Sequence, residues 1–168
     1  MRRGIVPVGT RGASGYAYRL PTAGAVRGVH DRSGADGAPS SIVGFATVWN
    51  RYSLNLGGFV EQFAPGAFDR SIDDDDQVAT FNHDDRMILG RRSAETLVVT
   101  SGGSGLEYKI SVDAGQTDHM NVARKIDRGD VVGSSFTFDP LPDGMSWSYT
   151  EQDMLLCPVA AARLFEVA

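Results

Sequence analysis

Short runs of apolar and β-branched residues, broken by glycine-rich or polar stretches, dominate the chain from about residue 41 onward. SIVGFATVWN (41–50) is apolar and β-branched enough for a strand, and FVEQF (59–63) predicts a short one after a loop through Asn55, Gly57 and Gly58. In APGAFDRSI, Pro65 suits the first turn of a short helix, where its missing N–H costs nothing. QVATFN (77–82) reads as a strand. TLVVT (96–100), the turn SGGSG and LEYKISVD (106–113) read as two strands joined by a Gly-rich hairpin loop. TDHMNVARKIDRG (117–129) carries the best helical pattern, with Thr117 or Asp118 as cap, Met120, Ala123 and Ile126 or Asp127 at helical spacing, and Gly129 as stop. VVGSSFTFD (131–139) and SWSYT (146–150) read as strands around PLPDG, and the chain finishes in a strand-like RLFEV. Many short strands and one or two helices predict a mainly β domain, barrel or sandwich, with helices packed outside.

The 168 residues suffice for one domain with a sizeable core, and 42% hydrophobic with 22% charged residues is ordinary for a globular protein. The sequence contains neither an apolar run of membrane-span length nor the apolar core of a signal peptide, which points to an intracellular protein without membrane partners. The single cysteine, Cys157, agrees with a reducing compartment. Charge is unevenly spread. Residues 1–40 hold six Arg against two Asp and eight of the twenty glycines, whereas the remainder holds ten basic against nineteen acidic residues. The expected organisation is a flexible, basic, Gly-rich arm over 1–40 and a folded domain over 41–168. The acidic body disfavours nucleic-acid binding, which needs clustered basic charge, so no specific nucleic-acid partner is expected.

Candidate chemistry is sparse. Of three histidines, His30 lies in the arm, His119 reads as a surface residue near the start of the predicted helix, and His83 ends an apolar strand. His83 with Asp84 and Asp85 makes no zinc signature, and the run Asp73–Asp76 lacks the spacing of a calcium loop, so it reads as solvated and no metal is expected. Cys157 sits among Leu155, Leu156, Pro158 and Val159, surroundings that favour a buried thiol of raised pKa. Serine chemistry fits better. In GDVVGSSFTFD, alternation puts Val132, Ser134, Phe136 and Phe138 on one face, and Gly133, Ser135, Thr137 and Asp139 on the other. With both phenylalanines in the core, Ser135 points to a reachable surface. Its hydroxyl needs a base, for which His83 is the natural choice, and an imidazole needs an orienting acceptor. Asp84, Asp139, Asp153 and Glu166 are candidates; in RLFEV, Phe165 and Val167 share one face and Glu166 the other.

The segments GFATVWN, VEQFAPGAF, FNHDDRMILGR, SGLEYKISV, RGDVVGSSFTF and LFEV, in this order over roughly 41–168, resemble the tailed-phage prohead maturation proteases. The resemblance implies a serine endopeptidase with a small closed or partly closed β-barrel surrounded by a few helices, distantly related to herpesvirus assembly proteases. It implies action inside the assembling prohead in the bacterial host cytoplasm, on the scaffold, on scaffolding segments of the major capsid protein, and on itself, without a cofactor. By position it places the base at His83, the nucleophile at Ser135 and the acid at Glu166, with Asp153 and His119 as fallbacks. Gly133 and Ser134 are candidates for oxyanion or substrate contact, as is Arg91 or its neighbour Arg92. The related viral proteases dimerise, which leaves a homo-oligomer open. Thr137 departs from the glycine that family members often carry, which puts the approach of the substrate backbone in doubt. That departure motivates an alternative, a catalytically inactive assembly or scaffold protein keeping the fold.

Overall fold

A computed structural model describes residues 16–19, 27–29 and 39–168, the first two segments as backbone only. In chain order the elements are β1 (Tyr16–Arg19), β2 (Arg27–Val29), β3 (Ser41–Val48), β4 (Phe59–Phe63), α1 (Asp69–Asp74), β5 (Val78–Phe81), β6 (Asp84–Arg91), β7 (Leu97–Ser101), β8 (Gly105–Ser111), α2 (Thr117–Asp127), β9 (Ser135–Pro140), β10 (Ser148–Tyr149), β11 (Leu155–Val159) and β12 (Ala162–Val167). The architecture is mainly β with two helices. Strands pair in three sheets, ordered β1-β9-β12-β5-β6, β10-β11-β4 and β2-β3-β8-β7. Among the described residues these ladders do not join into a closed barrel. Within the stretch expected to be a loose arm, β1 pairs antiparallel with β9 and β2 with β3. The rest of that stretch up to residue 38, His30 included, lies outside the described residues.

β3, β4, β5 and β12 and the β7–β8 hairpin form where alternation and β-branching predict them. β6 begins with Asp84, Asp85 and Arg86 and bulges against β5, so its sequence carries no alternation to read. Residues 131–134 precede β9 and are not strand, although the pattern extends through them. Pro65 is not in a helix. Ala67 N–H bonds to Ala64 O at 3.1 Å with Gly66 at φ +82°, the signature of a type II turn with Pro and Gly at its centre. α1 starts only at Asp69, and the turn delivers Phe68 into the core.

α2 buries His119, Val122, Ala123 and Ile126. Its N-cap is Gln116, without a side-chain cap bond; Thr117 and Asp118 lie inside the first turn, where the Asp118 charge favours the helix dipole instead. The predicted stop holds. Gly129 takes φ +79°, its N–H bonds to Ile126 O at 3.0 Å, and Asp130 N–H bonds to Lys125 O at 2.9 Å. This pair is a Schellman motif, and it turns the chain from α2 into segment 130–134.

The core centres on Phe63, Phe68, Phe136 and Phe138, with ring centroids 5.1–6.1 Å apart. Phe136 and Phe138 are fully buried from β9, so the intervening and preceding residues, Thr137 and Ser135, face away from this cluster. Gly90 on β6 has a steric reason to be glycine: a Cβ there would meet Thr96 O at 2.9 Å and the Ile110 side chain at 3.3 Å. Phe68→Ala removes a fully buried ring from the aromatic cluster and should lower the unfolding free energy by about 3–5 kcal/mol. Urea denaturation reads this directly, and an unshifted midpoint would contradict the role given to the cluster.

Candidate active site

The histidine expected at the end of a strand occupies a turn. β5 and β6 pair Phe81 with Asp84, leaving Asn82 and His83 as a two-residue loop with φ 58° and 57°. Two central residues at positive φ define a type I′ hairpin turn, whose twist suits antiparallel strands. Asn and His tolerate this region better than most non-glycine residues. The turn holds the imidazole, about a quarter exposed, over the ends of β9 and β12. There, His83 Nε2 lies 2.8 Å from Ser135 Oγ and Nδ1 lies 2.7 Å from Glu166 Oε2.

Glu166 reaches this point because of a bulge. β12 pairs Leu164 with Phe138 but Glu166 with Thr137 and Val167 with Phe136, so Phe165 is the extra residue. With unbroken register, Glu166 would lie opposite Phe136 and share its core face. The bulge shifts the register by one residue and puts the carboxylate opposite Thr137. Leu164 and Val167 are therefore the core residues, and Phe165 does not pair with Val167 on one face as simple alternation predicts. Thr137 Oγ1 donates to Glu166 Oε2 at 3.0 Å, and Thr80 Oγ1 donates a short hydrogen bond to Oε1. Burial alone would raise the Glu166 pKa. Hydrogen bonds from His83 and Thr80, the His83 charge and the Thr137 hydroxyl outweigh it, and the carboxyl titrates below its usual value.

Ser135 is buried at 6% exposure, as the first residue of β9. Its backbone is fixed on both sides of the strand. Arg19 of β1 is its partner on one side; on the other, Ser135 N–H donates to Ala168 O at 2.6 Å and Ala168 N–H donates back at 2.8 Å. Ser134, also buried, donates from Oγ to Ala168 O at 3.2 Å. A cleft of about 460 Å³ opens beside the serine, lined by the Phe81–His83 turn, the 130–135 segment and Ala168. Gly133 and Ser134 thus line the same cleft as Ser135.

Other candidates sit elsewhere. Arg91 bonds Asp76 at 2.9 Å and pairs with Val78, at the end of β5 away from the His83 turn. Arg92 donates to the Asp73 and Asp75 carbonyls. Asp84, adjacent to His83, pairs with Arg86. Asp139 is the β-ladder partner of Arg163, and Asp153 lies in an exposed turn with φ 58°. His119 is not a surface residue: it is 7% exposed, and its Nδ1 accepts from Asp113 N–H at 3.2 Å. The Asp73–Asp76 run is only partly solvated, since Asp75 clamps Arg163 at 3.1 Å and Asp76 binds Arg91 and Ser93. No group of three or more His, Cys, Asp or Glu among the described residues is arranged to hold a metal. Cys157 is fully buried, and burial together with the Glu61 charge pushes its thiol up to about 11.

Against models of known families, residues 28–168 match the caudovirus prohead serine protease model. The chain belongs to this family. The match begins before residue 41, within β2. No curated protein and no solved structure matches the chain.

Sequence reasoning missed Thr80 and the hydrogen-bonding role of Thr137. The Thr137 hydroxyl, at the position of the departure, bonds the Glu166 carboxylate. It also missed the His83 turn, because β6, which follows Asn82-His83, opens with charged residues and shows no strand pattern. Asn82→Val puts a β-branched residue at φ 58° and should cost about 1–2 kcal/mol, whereas Asn82→Gly should be tolerated. Equal denaturation midpoints for the two variants would contradict the turn assignment. A depressed Glu166 pKa contributes stability that is full above the unfolded value, about 4.3, and lost as pH falls through the folded value. The wild-type unfolding free energy should therefore fall more steeply below about pH 4.3 than that of Glu166→Gln; parallel pH profiles would refute the assignment.

Proposed function

We propose that this chain is an active serine endopeptidase in which Ser135 is the nucleophile, His83 the general base and Glu166 the acid that orients it. The carrying observation is the continuous hydrogen-bonded line Ser135 Oγ–His83–Glu166, at 2.8 and 2.7 Å, beside an open cleft. Ser135 Oγ attacks the scissile carbonyl carbon as His83 Nε2 takes its proton. His83 Nδ1–H stays donated to Glu166, which fixes the tautomer and stabilises the imidazolium. The imidazolium then protonates the leaving amine, and water hydrolyses the acyl-enzyme by the same route. Ser135 N–H is already donated to Ala168 O, so the oxyanion role falls to the backbone of Gly133 and Ser134 at the cleft wall. No step requires a cofactor.

Family membership supports the major capsid protein and the scaffold as substrates and the interior of the assembling prohead, in the bacterial host cytoplasm, as the place of action. Among the described residues no helix is long and apolar enough to cross a membrane. Self-cleavage is supported by β1, which runs antiparallel to β9 with Arg19 opposite Ser135. Adjacent strands lie about 4.8 Å apart, so a segment of the chain itself borders the nucleophile. The inactive-scaffold reading draws no support from Thr137, whose hydroxyl bonds the proposed acid.

Co-expression with the capsid protein tests the proposal. Wild type should trim the capsid protein, and Ser135→Ala and His83→Ala should lower the rate by at least about 10³-fold. Glu166→Gln should lose less and should keep the hydroxyl reactive toward a serine-directed phosphonate. Equal trimming by wild type and Ser135→Ala would remove Ser135 from the mechanism.

A further inference from the structure

Beside the cleft lies a second, smaller cavity of about 30 Å³. Its floor is buried and apolar, made of Ile110 on β8 and Val122 and Ile126 on α2. Its rim is Phe81, Val131, Gly133 and Ala168, and all four also line the cleft. The two cavities therefore adjoin across these four residues, the smaller forming a chamber beside the cleft. Gly133 lies two residues from Ser135, about 7 Å along an extended backbone, and Ala168 is the ladder partner of Ser135.

We propose that this chamber is the specificity pocket for the substrate residue that supplies the scissile carbonyl, and that it takes a small aliphatic side chain of alanine to valine size. The proposal rests on the protease reading given above. Once Ser135 Oγ bonds the carbonyl carbon, the side chain of that residue starts within one residue step of the serine and meets the rim. A water needs about 10–15 Å³ of such space, so about 30 Å³ admits two or three heavy atoms. The two hydroxyls in the lining are already engaged, Thr80 with Glu166 and Tyr108 with Ser134. A charged side chain would enter without a partner, which its desolvation forbids. Gly133 borders both cavities, and a Cβ built there meets nothing within 4 Å, so a larger residue is accommodated without a clash.

The test is digestion of a proteome-derived peptide library by wild type, Ser135→Ala, Ile126→Val and Gly133→Val, with cleavage sites read by mass spectrometry. In wild type, Ser135-dependent sites should carry Ala or Val before the scissile bond at least about tenfold more often than Phe, Lys or Glu. Ile126→Val removes one methylene from the floor and should shift the ratio toward Leu and Ile. Gly133→Val should shift it toward Ala and Gly. The ratios are independent of any change in overall rate. Ser135-dependent cleavage after charged or aromatic residues, or a profile unchanged in both variants, overturns the pocket assignment and leaves the protease reading standing. Absence of any Ser135-dependent cleavage overturns both.

Discussion

The pairing of β9 with β12, broken once at Phe165, is the constraint on which the rest of the site depends. β9 uses Phe136 and Phe138 to enter the aromatic core, and this commits Ser135 and Thr137 to the opposite face. β12 must satisfy the same core with Leu164 and Val167, three residues apart, which a flat strand of period two does not do. The extra residue reconciles the demands. It lets both residues face inward and leaves Glu166 beside Thr137. A carboxylate on the core face would be buried without partners at a cost of several kcal/mol, so the core itself selects the bulged register. The Asp75–Arg163 ion pair, with the guanidinium 5.4 Å from the Phe165 ring centroid, braces the bulge from outside.

The three side chains are held by different local means. His83 depends on a tight turn with two left-handed residues, Ser135 on a strand whose backbone is clamped on both edges, and Glu166 on two threonine hydroxyls. Burial alone would favour the neutral form of Glu166; hydrogen bonds from His83 and the two hydroxyls, with the His83 charge, keep the carboxylate ionised and aimed. This is the electrostatic condition that the proposed imidazolium needs. The Schellman turn after α2 contributes the remaining wall by directing 130–134 across the cleft mouth.

Most elements were legible in the sequence because their side chains alternate over a core, as in LEYKIS and SFTF. Ser135 could be preferred to Ser134 on strand faces alone, since two phenylalanines fix the direction of β9. Glu166 was reached by the same rule, but the rule worked there by a different geometry: Phe165 and Val167 do not share a face, and the bulge supplies the orientation instead. β6 and β11 were not legible, one because it opens with charged residues and bulges, the other because LLCPV is uniformly apolar and includes a proline. His119 was misplaced because a histidine near a helix start reads as solvated, while the burial comes from packing that only the tertiary fold supplies. The open pairing of three sheets also depends on long-range register, which no local pattern encodes.

The hydrogen bonds that join Ser135 to His83 and His83 to Glu166 span 52 and 83 residues of sequence, and the Asp75–Arg163 brace spans 88. Such contacts form late, because closing long loops carries an entropic cost before the contacts themselves contribute. Under the proposed mechanism, a nascent or half-folded chain thus holds a serine without its base and a histidine without its acid. Reactivity is then a property of the completed fold, and its timing is set by folding.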